Sequence, residues 1–513
     1  MLSLAKVSGA ALYGIHAHLI DVEVDLAQGF PMLSIVGLPD AAVKESKDRL
    51  RPALKNTGFP LPAKRITINL APADLKKEGS AFDLPIAIGI LSAEGVIALD
   101  RLNPYVIVGE LSLDGSIKAI SGALPMAIAA KQAGRRGILV PLPNATEASV
   151  VEGIEVLGVT TLAEVIAFFN GTKTIAPLRA DASMLRAGAQ SEGLENFSDV
   201  RGQHHVKRAL EIAAAGGHNV LMVGPPGSGK TMLAKRFSTI LPQMDFNESL
   251  ETTQIHSAMG LLAPDRPWVG DRPFRAPHHT ISDAGLVGGG TTPRPGEVSL
   301  AHNGVLFLDE MPEFRRDVLE VLRQPLEAGK VTISRASASL TFPARFILVA
   351  AMNPCPCGYF SDPTRHCVCS PMAIQRYRSR VSGPLLDRID LHIEVPAVPF
   401  RDLTTDFTAE GSEEIQKRVT GARQFMARRL GDGLRCNSEM SPRQIKKHCV
   451  LPDDAKKLLE TAMEKLGLSV RAYNRILKVA RSIADLAERD AIDVADIAEA
   501  VQYRTLDRKS IPG

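Results

Sequence analysis

One stretch of the chain combines a glycine-rich loop with residues that bind phosphate. It reads GPPGSGKT and spans Gly224–Thr231, after an apolar run, Asn219–Val223, and before a helix-forming segment, Met232–Ile240. This order matches the pattern GxxxxGK[ST], in which backbone N–H groups and a helix N-terminus face phosphate oxygens. Lys230 would reach the β- and γ-phosphates, and the Thr231 hydroxyl would bind Mg²⁺. The predicted ATP-binding residues are Gly224, Pro225, Pro226, Gly227, Ser228, Gly229, Lys230 and Thr231.

A second stretch, Val305–Glu310, reads VLFLDE and ends in two carboxylates. Its four apolar residues predict a buried parallel strand. Asp309 at its end can hold Mg²⁺ directly or through water, and Glu310 can polarise the attacking water. An apolar run that ends in Asp-Glu is weak evidence alone, but downstream of the phosphate-binding pattern it indicates ATP hydrolysis.

Two further polar residues follow predicted core elements. Asn353 comes after the predicted strand Phe346–Ala351 and can orient the lytic water, although an Asn-Pro turn is the alternative. Arg388 lies in the run GPLLDRID, which resembles the arginine-finger segment of AAA+ rings. A guanidinium there stabilises the charge of the transition state, and in that family the neighbouring subunit supplies it. Arg388 therefore predicts an oligomer, with a local ion pair to Asp387 or Asp390 as the alternative.

The carboxy-terminal part has the apolar periodicity of a helical lid domain. Ser469 is a plausible N-cap for the helix that contains Arg471. Arg471 resembles the sensor-2 arginine that contacts the γ-phosphate. Arg475, one turn later on the same face, is the second candidate for this role. The alternative is that Arg471 is only a surface charge. The predicted helices are Ser412–Leu430, Pro442–His448, Pro452–Leu466, Val470–Glu488 and Val494–Tyr503.

Two insertions distinguish this core from a plain ATPase. The glycines and prolines of Arg272–Ser282 and Gly285–Gly290 predict an extended, mobile insert. The segment Lys330–Phe342 predicts a hairpin with Arg335 at or near its tip. Lys330 and Arg335 suit sequence-independent contact with DNA phosphates. In ring helicases of this layout, such inserts make this kind of contact. The alternative is a hairpin that is simply exposed to solvent.

Cysteines form one dense cluster. Cys355-x-Cys357 and Cys367-x-Cys369 bracket a turn-rich loop, and thiolates so placed can enclose Zn²⁺. The spacing C-x-C is less diagnostic than C-x₂-C, so reduced thiols or a redox-sensitive loop stay open as alternatives. His366 is interpreted as a bystander, and the remaining cysteines, Cys436 and Cys449, as isolated, partly buried thiols.

The amino-terminal region alternates strand-like and helix-like segments, which predicts an α/β or α+β domain. It resembles the Lon-protease-like fold in Leu75–Phe82 (LKKEGSAF), Gly109–Gly115 (GELSLDG) and Ile120–Pro125 (ISGALP). This resemblance puts Ala81 and Leu124 where the catalytic serine and lysine of Lon would stand. Ser80 is one residue away, and a serine without its base is not activated. We therefore expect a scaffold without protease chemistry.

The whole chain is therefore predicted to be an α/β multidomain protein. Residues Val200 and Gln203 precede the phosphate-binding strand, and by resemblance to AAA+ proteins they would lie near the adenine. The predicted parts are a Lon-protease-like domain lacking the Ser/Lys dyad (1–171), a linker (172–195), an AAA+ core with the insertions and cysteine loop (196–396), and a helical lid (397–513).

Composition sets the remaining limits. The chain has 513 residues, a net charge of +3 and 45% hydrophobic residues, so it can bury several cores and any nucleic-acid contact must come from local patches. No signal peptide opens the sequence, and the most apolar stretch, Leu84–Leu99, contains Glu94 and is too short to span a bilayer. A soluble cytoplasmic protein with no membrane partner is the expectation.

Taken together, the motifs resemble the ComM/YifB family of magnesium-chelatase-like AAA+ ATPases. The resemblance runs nearly full length through LKKEGSAFDLP, GPPGSGKT, RPFRAPHHTIS, VLFLDE, AAMNPCPCG, GPLLDRIDLH and LSVRAYNRILKVARSIADL. It implies a hexameric, ATP-driven DNA helicase that promotes branch migration in natural transformation. A chelatase-type motor and a protein-remodelling ATPase without a DNA substrate are the alternatives.

Overall fold

The computed structural model describes residues 4–180, 195–290, 293–335, 338–360, 362, 365–398, 410–431 and 435–504. These residues form two compact units. The first contains residues 1–190 and 245–270, and the second contains 191–244 and 271–513. The segment 245–270 thus belongs with the first unit, although it lies inside the continuous core of 196–396 that the sequence predicts. Most of the predicted linker, 181–194, lies outside the described residues.

A mixed sheet of seven strands forms the centre of the first unit, in the order β3-β4-β2-β1-β5-β8-β9. Strands β1, β2 and β4 pair antiparallel, whereas β3–β4, β1–β5, β5–β8 and β8–β9 are parallel. A short antiparallel pair, β6–β7, lies outside the sheet. The strands are Leu4–Tyr13 (β1), His16–Ala27 (β2), Met32–Val36 (β3), Arg65–Ala71 (β4), Tyr105–Ile107 (β5), Glu110–Leu111 (β6), Ile117–Lys118 (β7), Gly137–Pro141 (β8) and Glu155–Val159 (β9).

Helices cover this sheet because their apolar residues have no other place to be buried. Ten of the eleven residues of Asp83–Ala93 are buried, which explains why its sequence is apolar on every side. Helix Phe246–Ala258 packs against Ala123–Gln132, so it contributes to the core of the first unit. The helices of the first unit are Ala41–Asn56, Asp83–Ala93, Leu99–Leu102, Ala123–Gln132, Leu142–Ala148, Leu162–Phe169 and Phe246–Ala258.

The second unit is built on a sheet of five parallel strands, in the order β11-β14-β17-β10-β18. Its central strands are almost completely buried, as expected for a parallel sheet with helices on both faces. The strands of this unit are Val220–Val223 (β10), Phe274–Arg275 (β11), Gly288–Gly289 (β12), Arg294–Pro295 (β13), Val305–Leu308 (β14), Lys330–Arg335 (β15), Ala338–Pro343 (β16), Ile347–Met352 (β17) and Leu391–Glu394 (β18).

One hydrophobic core joins one face of this sheet to the carboxy-terminal helices. The predicted lid helices are confirmed, with ends that differ by two residues or fewer. Within the described residues, no helix has the length and hydropathy needed to cross a membrane. The helices of the second unit are His204–Gly216, Lys230–Phe237, Asp283–Val287, Glu297–Leu300, Arg316–Glu320, Arg323–Ala328, Pro371–Arg378, Gly383–Leu386, Ser412–Leu430, Pro442–His448, Asp453–Leu466, Val470–Leu486 and Val494–Gln502.

The two insertions are folded and pack together. Strands β15 and β16 pair from Lys330 to Arg335, which confirms the predicted hairpin. The prediction of an extended first insert is wrong in part, because Asp283–Val287 forms a helix, whereas Phe274–Arg275 is extended as an edge strand of the sheet. A Cβ atom at Gly288 would lie 2.9 Å from Ile333 Cδ1 of the hairpin, so the backbone of the first insertion packs on an apolar side chain of the second.

A buried carboxylate ties the sheet to the lid. Asp390, just before β18, accepts hydrogen bonds from the Asn219 backbone N–H (3.1 Å) and from Arg475 Nη1 (2.6 Å). The Asp390 oxygen that accepts from Asn219 also lies 3.4 Å from His218 Nδ1. Burial by itself would raise the pKa of Asp390, but the charge of Arg475 and the hydrogen bond with His218 outweigh burial and hold that pKa well below its usual range. The ion pair thus joins helix Val470–Leu486 to the sheet.

We expect Asp390→Asn to loosen the lid, because it leaves the guanidinium of Arg475 without its charge partner. Removing one partner of a buried ion pair costs about 3–5 kcal/mol. Amide hydrogen exchange within Val470–Leu486 of the full chain should then become about 100-fold faster or more. The matched control is Asp453→Asn, whose side chain is 89% exposed, and which should leave exchange unchanged. Equal exchange in both variants would contradict the role assigned to Asp390.

Candidate nucleotide-binding site

The phosphate-binding loop has the backbone that the sequence predicts. Strand β10 ends at Val223, and helix Lys230–Phe237 begins directly after Gly229. Gly229 has φ +89°, a conformation that favours glycine. Gly224 has no room for a side chain, since a Cβ atom there would lie 2.1 Å from the carbonyl oxygen of Val395. The loop is therefore held between its own helix and the end of β18.

Lys230 lies in the middle of this loop. Its Nζ donates to the carbonyl oxygens of Gly224 (2.8 Å) and Pro225 (2.9 Å) and to Asn353 Oδ1 (3.2 Å). Burial lowers the pKa of Lys230, while the charges of Asp309 and Glu310 oppose that change. The structure thus brings the predicted lysine and the predicted water-orienting asparagine into direct contact. They meet because β17 lies between β14 and β10, so the carboxyl ends of all three parallel strands open at one edge.

The two predicted Mg²⁺ ligands also meet. Thr231 Oγ1 donates to Asp309 Oδ2 at 2.6 Å, and Asp309 Oδ1 accepts from the Glu310 backbone N–H at 2.9 Å. A hydroxyl and a carboxylate oxygen at this separation fit Mg²⁺, which prefers oxygen ligands and keeps several waters. The two predicted ligands therefore lie where one ion could reach both.

Glu310 has a backbone conformation that sequence reasoning did not anticipate. Its φ is +50°, in the left-handed region that non-glycine residues seldom adopt, and a 3₁₀ turn, Met311–Glu313, follows it. Such strain costs of order 1–3 kcal/mol and clusters at active sites. The conformation turns the chain sharply after Asp309 and leaves the Glu310 carboxylate exposed.

Gln203 lies next to this loop, whereas Val200 lies in the core. Gln203 Nε2 donates to the carbonyl oxygens of Ser228 (2.9 Å) and Pro396 (3.1 Å), so it connects the phosphate-binding loop to the chain after β18. Its φ of +50° is also left-handed. Val200 is 1% exposed and belongs to the core beneath the sheet. Contact of these residues with adenine stays a prediction.

Arg388 is not poised for a neighbouring subunit in this structure. The residue is 6% exposed, and its guanidinium pairs with the Glu327 carboxylate and donates to the Pro384 carbonyl oxygen. The local alternative named Asp387 or Asp390 as partner, and this assignment is wrong because Asp390 is already occupied by Arg475. The partner Glu327 lies 61 residues away in sequence and gave no local signal.

The structure separates the two sensor-2 candidates. Ser469 caps its helix as predicted, accepting from the Ala472 backbone N–H at 3.2 Å. The Arg471 side chain is 65% exposed, with Nη1 4.0 Å from Asp387 Oδ2. Arg475 is instead held by buried Asp390. Of the two, Arg471 has the more exposed guanidinium.

The two basic residues of the β15–β16 hairpin lie on opposite faces of its first strand. Lys330 and Arg335 are five residues apart on β15, so their side chains point to opposite faces and lie about 17 Å apart along the strand. They cannot form one patch. A Cβ atom on Gly289 would lie 3.9 Å from Arg335 Nη2, and Gly289 pairs with Arg294 of β13, which is exposed. Arg294 is therefore the second cation near Arg335, and sequence reasoning missed it.

Four cysteines meet behind the phosphate-binding loop. The sulfur atoms of Cys355, Cys357, Cys367 and Cys369 all lie within 4.8 Å of one another, and these thiols are free. His366 is not part of this group, as predicted. The isolated thiols Cys436 and Cys449 are buried in the lid core rather than partly buried.

The first unit contains the residues that the resemblance aligns with the Lon dyad. Leu124 is fully buried, and Ala81 is 8% exposed. Ser80 Oγ hydrogen-bonds to the Glu110 carboxylate, while Lys77 Nζ is buried against the Pro72 carbonyl oxygen. Burial lowers the pKa of Lys77. Ser80 therefore has an acidic partner in place of a lysine base.

Comparisons with known proteins agree along the whole chain. Three family descriptions match: "Magnesium chelatase, subunit ChlI" at residues 196–403, "Subunit ChlI of Mg-chelatase" at 22–144, and "Magnesium chelatase, subunit ChlI C-terminal" at 409–504. The chain is also 29% identical to Lon protease 2 of Bacillus subtilis over 178 residues, which are 31% of this chain and 32% of that protein.

Two relatives match almost end to end. Competence protein ComM of Haemophilus influenzae is 47% identical over 509 residues, which cover 99% of this chain and 98% of that protein. The uncharacterized protein YifB of Salmonella typhimurium is 45% identical over 509 residues, with the same coverage. The chain therefore belongs to the ComM/YifB family of magnesium-chelatase-like AAA+ proteins.

Proposed function

We propose that this protein is an ATP-driven ring motor that acts on DNA, a hexameric helicase that promotes branch migration during natural transformation. The observation that carries the motor is the contact set Lys230–Asn353 and Thr231–Asp309, which joins three strand ends at one site. The similarity to a competence protein over 99% of the chain supports the biological setting. The basic insertions of the second unit support DNA as the substrate.

Hydrolysis of ATP follows from the positions of these groups. Lys230 exchanges its carbonyl partners for the β- and γ-phosphate oxygens and neutralises their charge. Thr231 and Asp309 would hold Mg²⁺, which would supply electrostatic stabilisation of the phosphates. The Glu310 carboxylate polarises a water molecule for attack on the γ-phosphorus, and Asn353 orients that water. In-line attack then releases ADP and phosphate.

Completion of the site requires a neighbouring subunit. Arg388 acts on the neighbour's γ-phosphate only after its guanidinium leaves Glu327, so ring assembly would replace a protein carboxylate by a phosphate. Arg471 is exposed and lies near Asp387, which is next to Arg388 in the chain. Arg471 is the proposed sensor-2 residue. Both arginines add positive charge where negative charge develops in the transition state.

DNA binds through phosphates rather than bases. Arg335 and Arg294 come from two insertions that pack on each other, and both side chains are exposed. Two guanidinium groups on neighbouring ribbons suit backbone contact without sequence preference. Lys330 at the base of β15 points to the other face and is a weaker candidate.

We predict that Glu310→Gln binds ATP but hydrolyses it at least about 100-fold more slowly, since the general base is lost. Lys230→Ala should lose binding and hydrolysis together. The matched control is Glu313→Gln, a nearby exposed carboxylate that pairs with Arg380, and it should keep the wild-type rate. Steady-state phosphate release and nucleotide titration measure the two effects. Wild-type hydrolysis by Glu310→Gln would remove Glu310 from the mechanism.

A second prediction concerns the substrate. Single-stranded, duplex and forked DNA should each be tested as activators of hydrolysis, beside a porphyrin-loaded partner and an unfolded protein. We expect DNA to stimulate the wild type and to stimulate Arg335→Ala/Arg294→Ala much less, with basal hydrolysis unchanged. The salt dependence of DNA affinity should flatten by about one phosphate contact per arginine removed.

Lys330→Ala is the control for this experiment, since its side chain lies on the opposite face and should leave stimulation nearly intact. Hydrolysis that ignores every DNA but responds to the porphyrin-loaded partner would favour a chelatase-like motor. A response to unfolded protein alone would favour protein remodelling. Either result would overturn the helicase proposal.

A third prediction tests whether two neighbouring subunits form one active site together. Arg388→Ala and Glu310→Gln should each be inactive alone, because one lacks the finger and the other lacks the base. Mixed rings should regain hydrolysis, since a Glu310→Gln subunit supplies its Arg388 to the intact site of an Arg388→Ala neighbour. Glu327→Gln serves as the control for the local ion pair and should remain active. Mixtures without recovered activity would show that Arg388 serves only its own subunit.

A further inference from the structure

Four thiols form a compact group with spacing that suits a single metal ion. The sulfur of Cys355 lies 3.4 Å from that of Cys357 and 3.7 Å from that of Cys367, and the last two sulfurs are 3.6 Å apart. Cys369 Sγ accepts a hydrogen bond from the Cys357 backbone N–H at 3.4 Å. Each sulfur therefore lies near several others rather than beside one partner.

These distances distinguish between the chemical states of the thiols. A disulfide would bring two sulfurs to about 2.05 Å and leave the other two apart. Four thiolates around a tetrahedral ion with Zn–S bonds of about 2.3 Å lie about 3.8 Å from one another. The separations of 3.4–3.7 Å among Cys355, Cys357 and Cys367, with the Cys369 sulfur within 4.8 Å of each, fit the tetrahedral arrangement better than a disulfide. All-sulfur tetrahedral donors select zinc or iron among common metals.

We propose that Cys355, Cys357, Cys367 and Cys369 bind one Zn²⁺ ion as thiolates, and that the closed loop braces the nucleotide-binding site. With four thiolates bound, the ion has no open position for water or substrate, so its role is structural. Protons leave the thiols as the Zn–S bonds form, and no oxidant or reductant takes part.

The brace follows from where this loop touches its surroundings. Cys355 comes two residues after Asn353, whose side chain contacts Lys230. A Cβ atom at Gly358 would lie 2.4 Å from Pro226 Cδ, so this backbone packs directly on the phosphate-binding loop. Arg378 Nε donates to the Pro354 carbonyl oxygen at 3.1 Å and closes the other side. A metal ion at the cysteines would hold the chain between these contacts.

Metal binding is tested on the full chain, purified under reducing conditions without oxygen. We expect about one zinc per chain and an X-ray absorption spectrum with four sulfur neighbours at about 2.3 Å. Cys357→Ser/Cys369→Ser should retain less than about a tenth of that zinc. Cys436→Ser/Cys449→Ser removes the two cysteines outside the cluster and should keep it. Iron, a disulfide within the cluster, or no metal in the wild type would overturn the zinc proposal.

The brace rests on the proposed nucleotide binding and has its own measurement. A fluorescent ADP analogue should bind about tenfold more weakly after zinc is removed from the wild type, and zinc should restore its affinity. Gly358→Ala should weaken the same analogue while keeping zinc, since the added methyl group pushes the loop from Pro226. Unchanged affinity in the zinc-free protein would overturn the brace. A protein that binds zinc but never binds the analogue would overturn the proposed function instead.

Discussion

The order of the parallel strands in the second unit is the constraint on which the candidate site depends. Strand β17 lies between β14 and β10, so Asn353, Asp309 and the phosphate-binding loop open at the same edge of the sheet. Parallel strands with helical connections place all their carboxyl ends together, and ligands bind there. The contacts Lys230–Asn353 and Thr231–Asp309 are the local result of this order.

A buried ion pair connects this edge of the sheet to the lid. Asp390 lies between Arg388 and β18, and its carboxylate holds Arg475 of the lid helix. The segment that carries the proposed finger is thus anchored at both ends, by Glu327 on one side and by the Asp390 network on the other. Arg388 is therefore two residues of backbone from the carboxylate that holds the lid helix.

The first unit has a mixed sheet and a buried helix, Asp83–Ala93. Leu124 and Ala81, which the resemblance aligns with the Lon dyad, are both buried. Asp83 is fully buried and pairs with Arg49 at 2.7 Å, so the polar groups near Ser80 serve to satisfy each other. Helix Phe246–Ala258, although it follows the phosphate-binding helix in sequence, completes the core of this unit.

The sequence alone determined the features that depend on neighbours along the chain. The loop GPPGSGKT, the strand before Asp309, the β15–β16 hairpin and the lid helices all follow from short-range patterns, because turns, capping and apolar period act over a few residues.

Only the tertiary structure decided which distant groups meet. Arg388 pairs with Glu327 over 61 residues, Asp390 selects Arg475 and leaves Arg471 exposed, and the four cysteine sulfurs converge. The left-handed backbone of Glu310 is likewise a product of its surroundings. Charge and hydrogen-bond partners depend on packing over many elements, and local sequence patterns carry no record of those distances.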